Sequence, residues 1–485
     1  MINYKTILKV LGTLSFIEAL MMLLCFGICL LYREDDFMPF LISVMICLLF
    51  GFLLKYFGRE SDNTLMRKDA YLVVTLAWLF FSSLGTLPFL FSGYITNFTD
   101  AFFENMSGFT STGATILDNV QALPHGLLFW RSLTQWVGGL GIVFFTVALL
   151  PSLTGGSVKI FAAESTGPIK TKLHPRLSSN VKLILSVYLV LTIACIISFM
   201  FFGMDWFSAV NYAMTSTATG GFSIHNNSLE FFNSPAIDYT CALFCFLSGT
   251  NFTLLYLFAS KHDLKTLYKN SEFKFYFSIV FIFTVFVMIQ LIIKLQYPVE
   301  EAFRSSLFQV VSIITTTGLF NDDAGKWPHV TWAILGFCMF LGACSGSTSG
   351  GLKCIRGVML LKCIRNEFMQ ILHPNAVVPL KIDGISITNQ TRNTLLSFFA
   401  TYLLLVGLST FVLMLAKVDS TNAITIVLSS IGNVGPSFGL EIGPTMSWNI
   451  LPNFIKWLCS FLMLVGRLEI FSVLVILTPS FWNKS

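Results

Sequence analysis

A short stretch ending in glycine recurs four times in this chain, each copy lying between two long apolar runs and behind a shorter one. The copies are Phe109-Thr110-Ser111-Thr112-Gly113-Ala114, Thr215-Ser216-Thr217-Ala218-Thr219-Gly220-Gly221, Thr315-Thr316-Thr317-Gly318-Leu319 and Asn433-Val434-Gly435-Pro436. Their key glycines, Gly113, Gly220, Gly318 and Gly435, are 107, 98 and 117 residues apart, the mark of a fourfold internal repeat. Glycine accepts backbone angles denied to other residues. A hydroxyl-rich run ending in one can therefore turn its carbonyls toward a common axis, and four such loops make a ring of oxygens.

Composition sets where that ring stands. The chain has 485 residues, 55% hydrophobic and 11% charged, with a mean hydropathy of +0.75, too apolar for a soluble domain. Ten runs approach the roughly 20 apolar residues that cross a bilayer, near 7–31, 38–56, 70–94, 127–150, 180–203, 236–260, 274–296, 329–370 (interrupted), 393–416 and 452–478. The first follows Lys5 and Lys9, exceeds a signal-peptide core and lacks a small-residue cleavage site, so it is expected to be retained. The expected fold is an all-α polytopic membrane protein: an N-terminal helix pair in 1–69, then four outer helix, pore helix, inner helix repeats around a pseudo-fourfold pore, in 70–152, 178–261, 273–370 and 392–480.

The shorter segments, Asn97–Phe109, Asp205–Met214, Val299–Ile314 and Thr421–Ile431, are too short to span and long enough for re-entrant helices. Irregular backbone at membrane depth is tolerated only where it lines a cavity or is buried in protein. Asp100, Asp205 and Thr421 stand near three of the starts, suiting the positive end of a helix dipole.

Nineteen of the 30 basic residues fall in 55–69, 151–182, 261–274 and 353–392, the joints between units. By the positive-inside rule those joints and the N-terminus face the cytoplasm and the glycine loops open outward. The loop stretches hold Arg304, Lys326 and Lys417 against eleven acids: Asp100, Glu104, Asp118, Asp205, Glu230, Glu300, Glu301, Asp322, Asp323, Asp419 and Glu441. Such a mouth concentrates cations; the same pattern is also ordinary topology signalling. No basic patch interleaved with aromatics points to nucleic acid. The cysteines, such as Cys25, Cys29, Cys47, Cys195, Cys241, Cys245, Cys338 and Cys459, fall in apolar runs without metal spacing and read as reduced packing residues.

A dehydrated cation needs replacement oxygens, which rings of backbone carbonyl supply without a net charge. The residues placed to do this are Ser111, Thr112 and Gly113, Ala218, Thr219 and Gly220, Thr316, Thr317 and Gly318, and Asn433, Val434 and Gly435. A lone Thr-Gly pair would be turn chemistry; four in matching context are not.

The first loop, the run Arg131-Ser132-Leu133-Thr134-Gln135-Trp136-Val137-Gly138-Gly139-Leu140-Gly141 and the Thr219-Gly220-Gly221-Phe222-Ser223 loop resemble the Trk/Ktr/HKT superfamily of potassium transporters, over essentially the whole chain. Length and the extra N-terminal pair resemble its TrkH/TrkG branch. The resemblance implies potassium as substrate in a bacterial inner membrane, no covalent cofactor, a homodimer, and a cytosolic nucleotide-binding subunit of the TrkA type as the only route by which a nucleotide acts. Each loop has one core glycine where potassium channels have Gly-x-Gly, so potassium against sodium stays open. The fourth loop departs furthest, with Asn433 and Pro436.

Gly342-Ala343-Cys344-Ser345-Gly346-Ser347-Thr348-Ser349-Gly350-Gly351 interrupts the eighth run, and glycine's helix penalty of about 1 kcal/mol per site predicts a break. The resemblance implies a gate loop there; close packing through small residues is the alternative reading. Arg467, placed mid-run in the last span, resembles the family's pore-facing arginine, with snorkelling as the alternative. Glu469, two residues on, is expected to point elsewhere. Glu18, in the first run, has no assigned role.

Two other functional classes fit the sequence less well. A sodium- or proton-coupled carrier with alternating access usually shows inverted repeats, whereas these four run in the same sense. An intramembrane serine protease needs Gly-x-Ser-Gly and a helix-borne histidine, but Ala343 stands two positions before Ser345. His125, His174, His225, His262, His329 and His373 all read as loop or helix-end residues, leaving no general base and no expectation of an enzyme.

Overall fold

A computed structural model describes residues 2–34, 36–61, 66–141, 177–261, 264–376 and 378–483. The expected continuation of the 127–150 run past 141 lies outside the described residues, as do Lys159, Lys170, Lys172, His174, Arg176 and His262. Helices α1 (Tyr4–Tyr32) and α2 (Phe37–Phe57) form an antiparallel pair. Gly12 allows their close approach, because a Cβ there would meet the backbone of Gly51 and Lys55.

Four units follow, each a long outer helix, a short helix, a loop and an inner helix. The first comprises α3 (Arg67–Leu84), α4 (Phe98–Phe109) and α5 (His125–Leu140). The second comprises α6 (Leu177–Phe201), α7 (Trp206–Thr217), α8 (Pro235–Ser248) and α9 (Phe252–Lys261). In the third, α10 (Ser271–Leu295), α11 (Val299–Ile314) and α12 (His329–Leu341) lead to α13 (Cys354–Leu372). The fourth has α14 (Asn389–Leu415), α15 (Ser420–Gly432), α16 (Asn453–Arg467) and α17 (Ile470–Leu474). Among the described residues the departure from all-α is a hairpin between the third and fourth units, β1 (Lys381–Ile382) against β2 (Ile385–Ser386).

Short and inner helices close a ring: α4 packs on α5, α5 on α7, α7 on α8, α8 on α11, α11 on α12, α12 on α15, α15 on α16 and α16 back on α4. Each outer helix backs its own short helix. The short helices start where a side chain takes up free backbone N–H groups. Asn97 accepts from Thr99 N at 3.0 Å, Asp205 from Ser208 N at 3.0 Å and Asp419 from Thr421 N at 2.9 Å. Asp100 and Thr421 are therefore first-turn residues, and Asn97 and Asp419 are the caps. In α11 the acids Glu300 and Glu301 occupy the first turn after Pro298.

Two expected straight spans are bent. The 236–260 run turns by 102° between α8 and α9, and the 452–478 run by 115° between α16 and the helical stretch from Ile470. Hydropathy averages over such breaks because a few residues, Thr250 and Asn251 in one and Arg467 and Glu469 in the other, dilute it. Among the described residues six helices are long and apolar enough to cross a membrane, or eight if each bent pair is one span. The N-terminal pair covers the first unit: 72% of an 18-residue apolar stretch within Lys68–Ser92 is buried, against 28% of the like stretch in each outer helix of the other three units. Lipid-facing apolar side chains such as Ile197, Phe281 and Leu408 stand on those three.

Gly12→Leu is expected to lower the melting temperature of the detergent-solubilised protein, followed by tryptophan fluorescence, at an overpacking cost of about 1–3 kcal/mol. Gly27→Leu, where a Cβ meets nothing within 4 Å, should leave it unchanged.

Candidate functional site

Each short helix ends in the same turn. Its last carbonyls accept from two successive N–H groups, and the residue between turns left-handed, a Schellman motif. The left-handed residues are Ser111, Thr219, Thr316 and Asn433, at φ 48°, 51°, 58° and 55°. The next N–H closes back five residues: Thr112 N to Ser107 O at 2.8 Å, Gly220 N to Thr215 O at 2.9 Å, Thr317 N to Ser312 O at 2.8 Å and Val434 N to Ser429 O at 2.9 Å. A second left-handed residue follows in each loop, and it is glycine: Gly113, Gly221, Gly318 and Gly435.

This geometry corrects the second loop by one residue. Gly221, not Gly220, matches the other key glycines; Thr219 and Gly220 match Ser111 and Thr112, and Ala218 is the cap residue of α7, matching Thr110. Either glycine of the adjacent pair fits the repeat in sequence, and only backbone angles separate the two. The four loops meet. A Cβ on Gly113 would collide with Gly220 O, on Gly221 with Thr317 O, on Gly318 with Val434 O and on Gly435 with Thr112 O. Each loop's glycine thus faces a carbonyl of the next loop, and the succession closes on itself. Gly113, Gly221, Gly318 and Gly435 line one cavity with about 100 Å³ of water-accessible space, together with His225, Asp118 and Trp448. Burial holds the His225 imidazole below its ordinary pKa, so near neutral pH it adds no positive charge there.

Behind the first two loops lies a buried ion pair that sequence patterns did not single out. Glu104 on α4 meets Arg131 Nε on α5 at 2.9 Å. Glu104 also accepts from Ile116 N at 2.9 Å, past the first loop. Arg131 donates to Ser223 O at 2.8 Å, past the second loop, and its guanidinium lies 4.1 Å from the Phe222 ring centre. The pair staples the two loops together. Its partnership also corrects the acidic mouth. Glu104 is spent on Arg131 and Asp100 on Lys456 at 2.6 Å, cations that sit on inner helices outside the loops, while Asp205 and Asp419 are spent on backbone N–H groups at helix starts.

Beneath the ring, residues 342–353 form the irregular segment between α12 and α13, carrying Gly342, Ser345, Gly346, Ser347, Thr348, Ser349, Gly350 and Gly351. Close helix packing is overturned there, since no helix forms. The segment touches the ring directly: Gly350 N donates to Thr316 Oγ1 at 2.7 Å, and Thr219 Oγ1 lies 3.2 Å from Thr348 Oγ1. It also fills the bend of the second inner helix, with Cys344 N on Gly249 O at 3.0 Å and Phe252 N on Gly346 O at 3.1 Å. Glu272, at the start of α10, accepts from Ser345 N at 2.6 Å and Ile355 N at 3.1 Å, clasping both ends.

Arg467, mid-run in the sequence, is the last residue of α16. It donates to Thr348 O at 2.9 Å, Gly138 O at 2.6 Å and Gly139 O at 2.9 Å, and so bridges the segment to the end of α5. That geometry replaces snorkelling. Glu469 takes Arg356, on α13, as an ion-pair partner. Among the described residues no group of three or more His, Cys, Asp or Glu is arranged to hold a metal ion.

The sequence matches the TrkH family, described as a cation transport protein, over residues 37–484. It is 34% identical to the Trk system potassium uptake protein TrkH of Escherichia coli (strain K12), over 99% of this chain and 100% of that one. With the same strain's Trk system potassium uptake protein TrkG it shares 32% identity, over 99% of each. The crystal structure of the potassium transporter TrkH from Vibrio parahaemolyticus aligns with a TM-score of 0.89 at 33% identity, covering 99% of this chain and 100% of that one.

Removing one partner of the buried pair, as in Glu104→Ala or Arg131→Ala, is expected to cost about 3–5 kcal/mol. Thermal melts should show either single change destabilising more than Glu104→Leu combined with Arg131→Met, which leaves no unpaired charge.

Proposed function

Because the chain belongs to the TrkH family of cation transport proteins, we propose that it takes up potassium through a narrow path formed where its four loops meet. One observation carries this reading: left-handed glycines from four separate units line a single cavity. The coordinating oxygens are assigned to the carbonyls of Ser111, Thr112, Thr219, Gly220, Thr316, Thr317, Asn433 and Val434, in the corrected register. Carbonyl rings exchange for an ion's water shell without binding it so tightly that it stays.

Residues 342–351 act as the gate. They lie under the ring and are held by hydrogen bonds that a small shift breaks and water replaces. Arg467 places a positive charge on the same path, a barrier that falls when the segment and the guanidinium move together. The protein works in a bacterial inner membrane with its N-terminus cytoplasmic. In support, Lys5 pairs with Glu60 at 2.8 Å and Lys68 donates to Phe481 O at 2.8 Å, gathering basic residues and both chain ends on one face. We extend the reading to a homodimer controlled by a cytosolic nucleotide-binding subunit of the TrkA type, docked on the basic joints. The carrier alternative gains no support from the four same-sense units.

The test is tracer uptake of potassium, rubidium and sodium in cells lacking their own potassium systems. The chain should restore potassium and rubidium uptake. Gly113→Ala forces an L side chain to φ 88° against a neighbouring carbonyl; with about 1–2 kcal/mol for the left-handed conformation alone, uptake should fall about tenfold or more. Uptake unchanged by Gly113→Ala would remove the first loop from the path. Arg467→Ala should raise flux measured without any cytosolic partner.

A further inference from the structure

The second loop lacks the internal bracing that two others have. In the first, Thr110 and Thr112 hydroxyls meet at 2.8 Å; in the third, Thr315 and Thr317 do so at 2.8 Å. The matching residues of the second loop are Ala218 and Gly220, which offer no hydroxyl. Gly220 is followed by Gly221, so the peptide between them is the least hindered of the four to rotate.

A side chain from another unit stands in that space. Gln135, wholly buried on α5, donates from Nε2 to Gly220 O at 2.7 Å and accepts at Oε1 from Phe222 N at 2.9 Å. Its carboxamide spans the glycine pair. Gly220 is not among the left-handed residues, so backbone freedom does not require it, but a Cβ there would overlap the Gln135 carboxamide. Among the described residues, Gly220 O alone of the four carbonyls facing a neighbouring glycine accepts such a side-chain bond.

We propose that Gln135 is a positioning residue that sets ion selectivity. Through its two hydrogen bonds it holds the Gly220–Gly221 peptide in the plane that presents Gly220 O, doing for the second loop what paired threonines do for the first and third. The inference rests on the reading of the loops as an ion path. Discrimination among cations depends on the number and geometry of ring oxygens. A peptide free to rotate withdraws one of four, and the smaller sodium ion, needing fewer oxygens at a shorter distance, loses less than potassium does.

The experiment is potassium and sodium flux into liposomes holding the full-length protein. If the unsubstituted protein carries neither ion, the ion-path reading itself fails; if it prefers potassium, the variants decide on Gln135. Gln135→Met, similar in size but without the bonds, should conduct while its potassium-to-sodium flux ratio falls about fivefold or more, the scale set by one lost buried hydrogen bond. Gly220→Ala should cut flux sharply in the presence of Gln135 and much less alongside Gln135→Ala, because the collision is removed. Gln135→Ala with Gly220→Ser, which returns a hydroxyl to the loop, should recover part of the ratio. An unchanged ratio in Gln135→Met overturns the proposal. So does an equal Gly220→Ala effect in both backgrounds, and so does failure of both Gln135→Met and the Gln135→Ala, Gly220→Ser double variant to yield folded protein, which would make Gln135 a folding element.

Discussion

Backbone N–H and C=O groups at membrane depth find no water in lipid, so every irregular segment there must find partners inside the protein or line a water-filled cavity. The centre of this chain holds an unusual amount of such backbone: four glycine loops, a bend at Gly249, the 342–353 segment and the end of α16. These elements satisfy one another. Schellman turns close the short helices, the 342–353 segment fills the Gly249 bend, and Arg467 takes carbonyls from two units. None of the breaks stands alone, which is why they cluster around one axis.

The same arrangement holds strain in place. Thr219 and Thr316 are β-branched residues in the left-handed region, a conformation that costs about 1–3 kcal/mol and persists only where surroundings impose it. Their hydroxyls reach the segment below, Thr219 to Thr348 and Thr316 to Gly350. The residues that shape the ring therefore also anchor what lies beneath it. On the other side Glu272 clasps the segment's ends, and Arg356 ties α13 to Glu469 next to Arg467. A displacement of α13 bears on that ion pair and on the underside of the ring through few intermediates.

Legibility in the sequence followed locality. The glycine turns at Gly113, Gly318 and Gly435 and the break after Leu341 were readable, because small residues in an apolar run have one local meaning. Gly220 and Gly221 were not separable, since two adjacent glycines permit either register and only φ chooses. The bends after Ser248 and Arg467 were hidden by windows that average over a few polar residues. The acids at Asp100 and Glu104 looked available because Lys456 and Arg131, their partners, lie 356 and 27 residues away.

By itself the sequence determined that the chain is a multi-spanning membrane protein of four like units with glycine loops, for apolar run length and repeat spacing are properties of the chain alone. The tertiary structure decided which glycine of the second loop belongs to the ring, which charges are spent on each other, and that Arg467 ends a helix against the segment beneath the loops. Those outcomes depend on contacts remote in the chain, from the 27 residues between Glu104 and Arg131 to the 356 between Asp100 and Lys456, where one residue's surroundings are set by another helix.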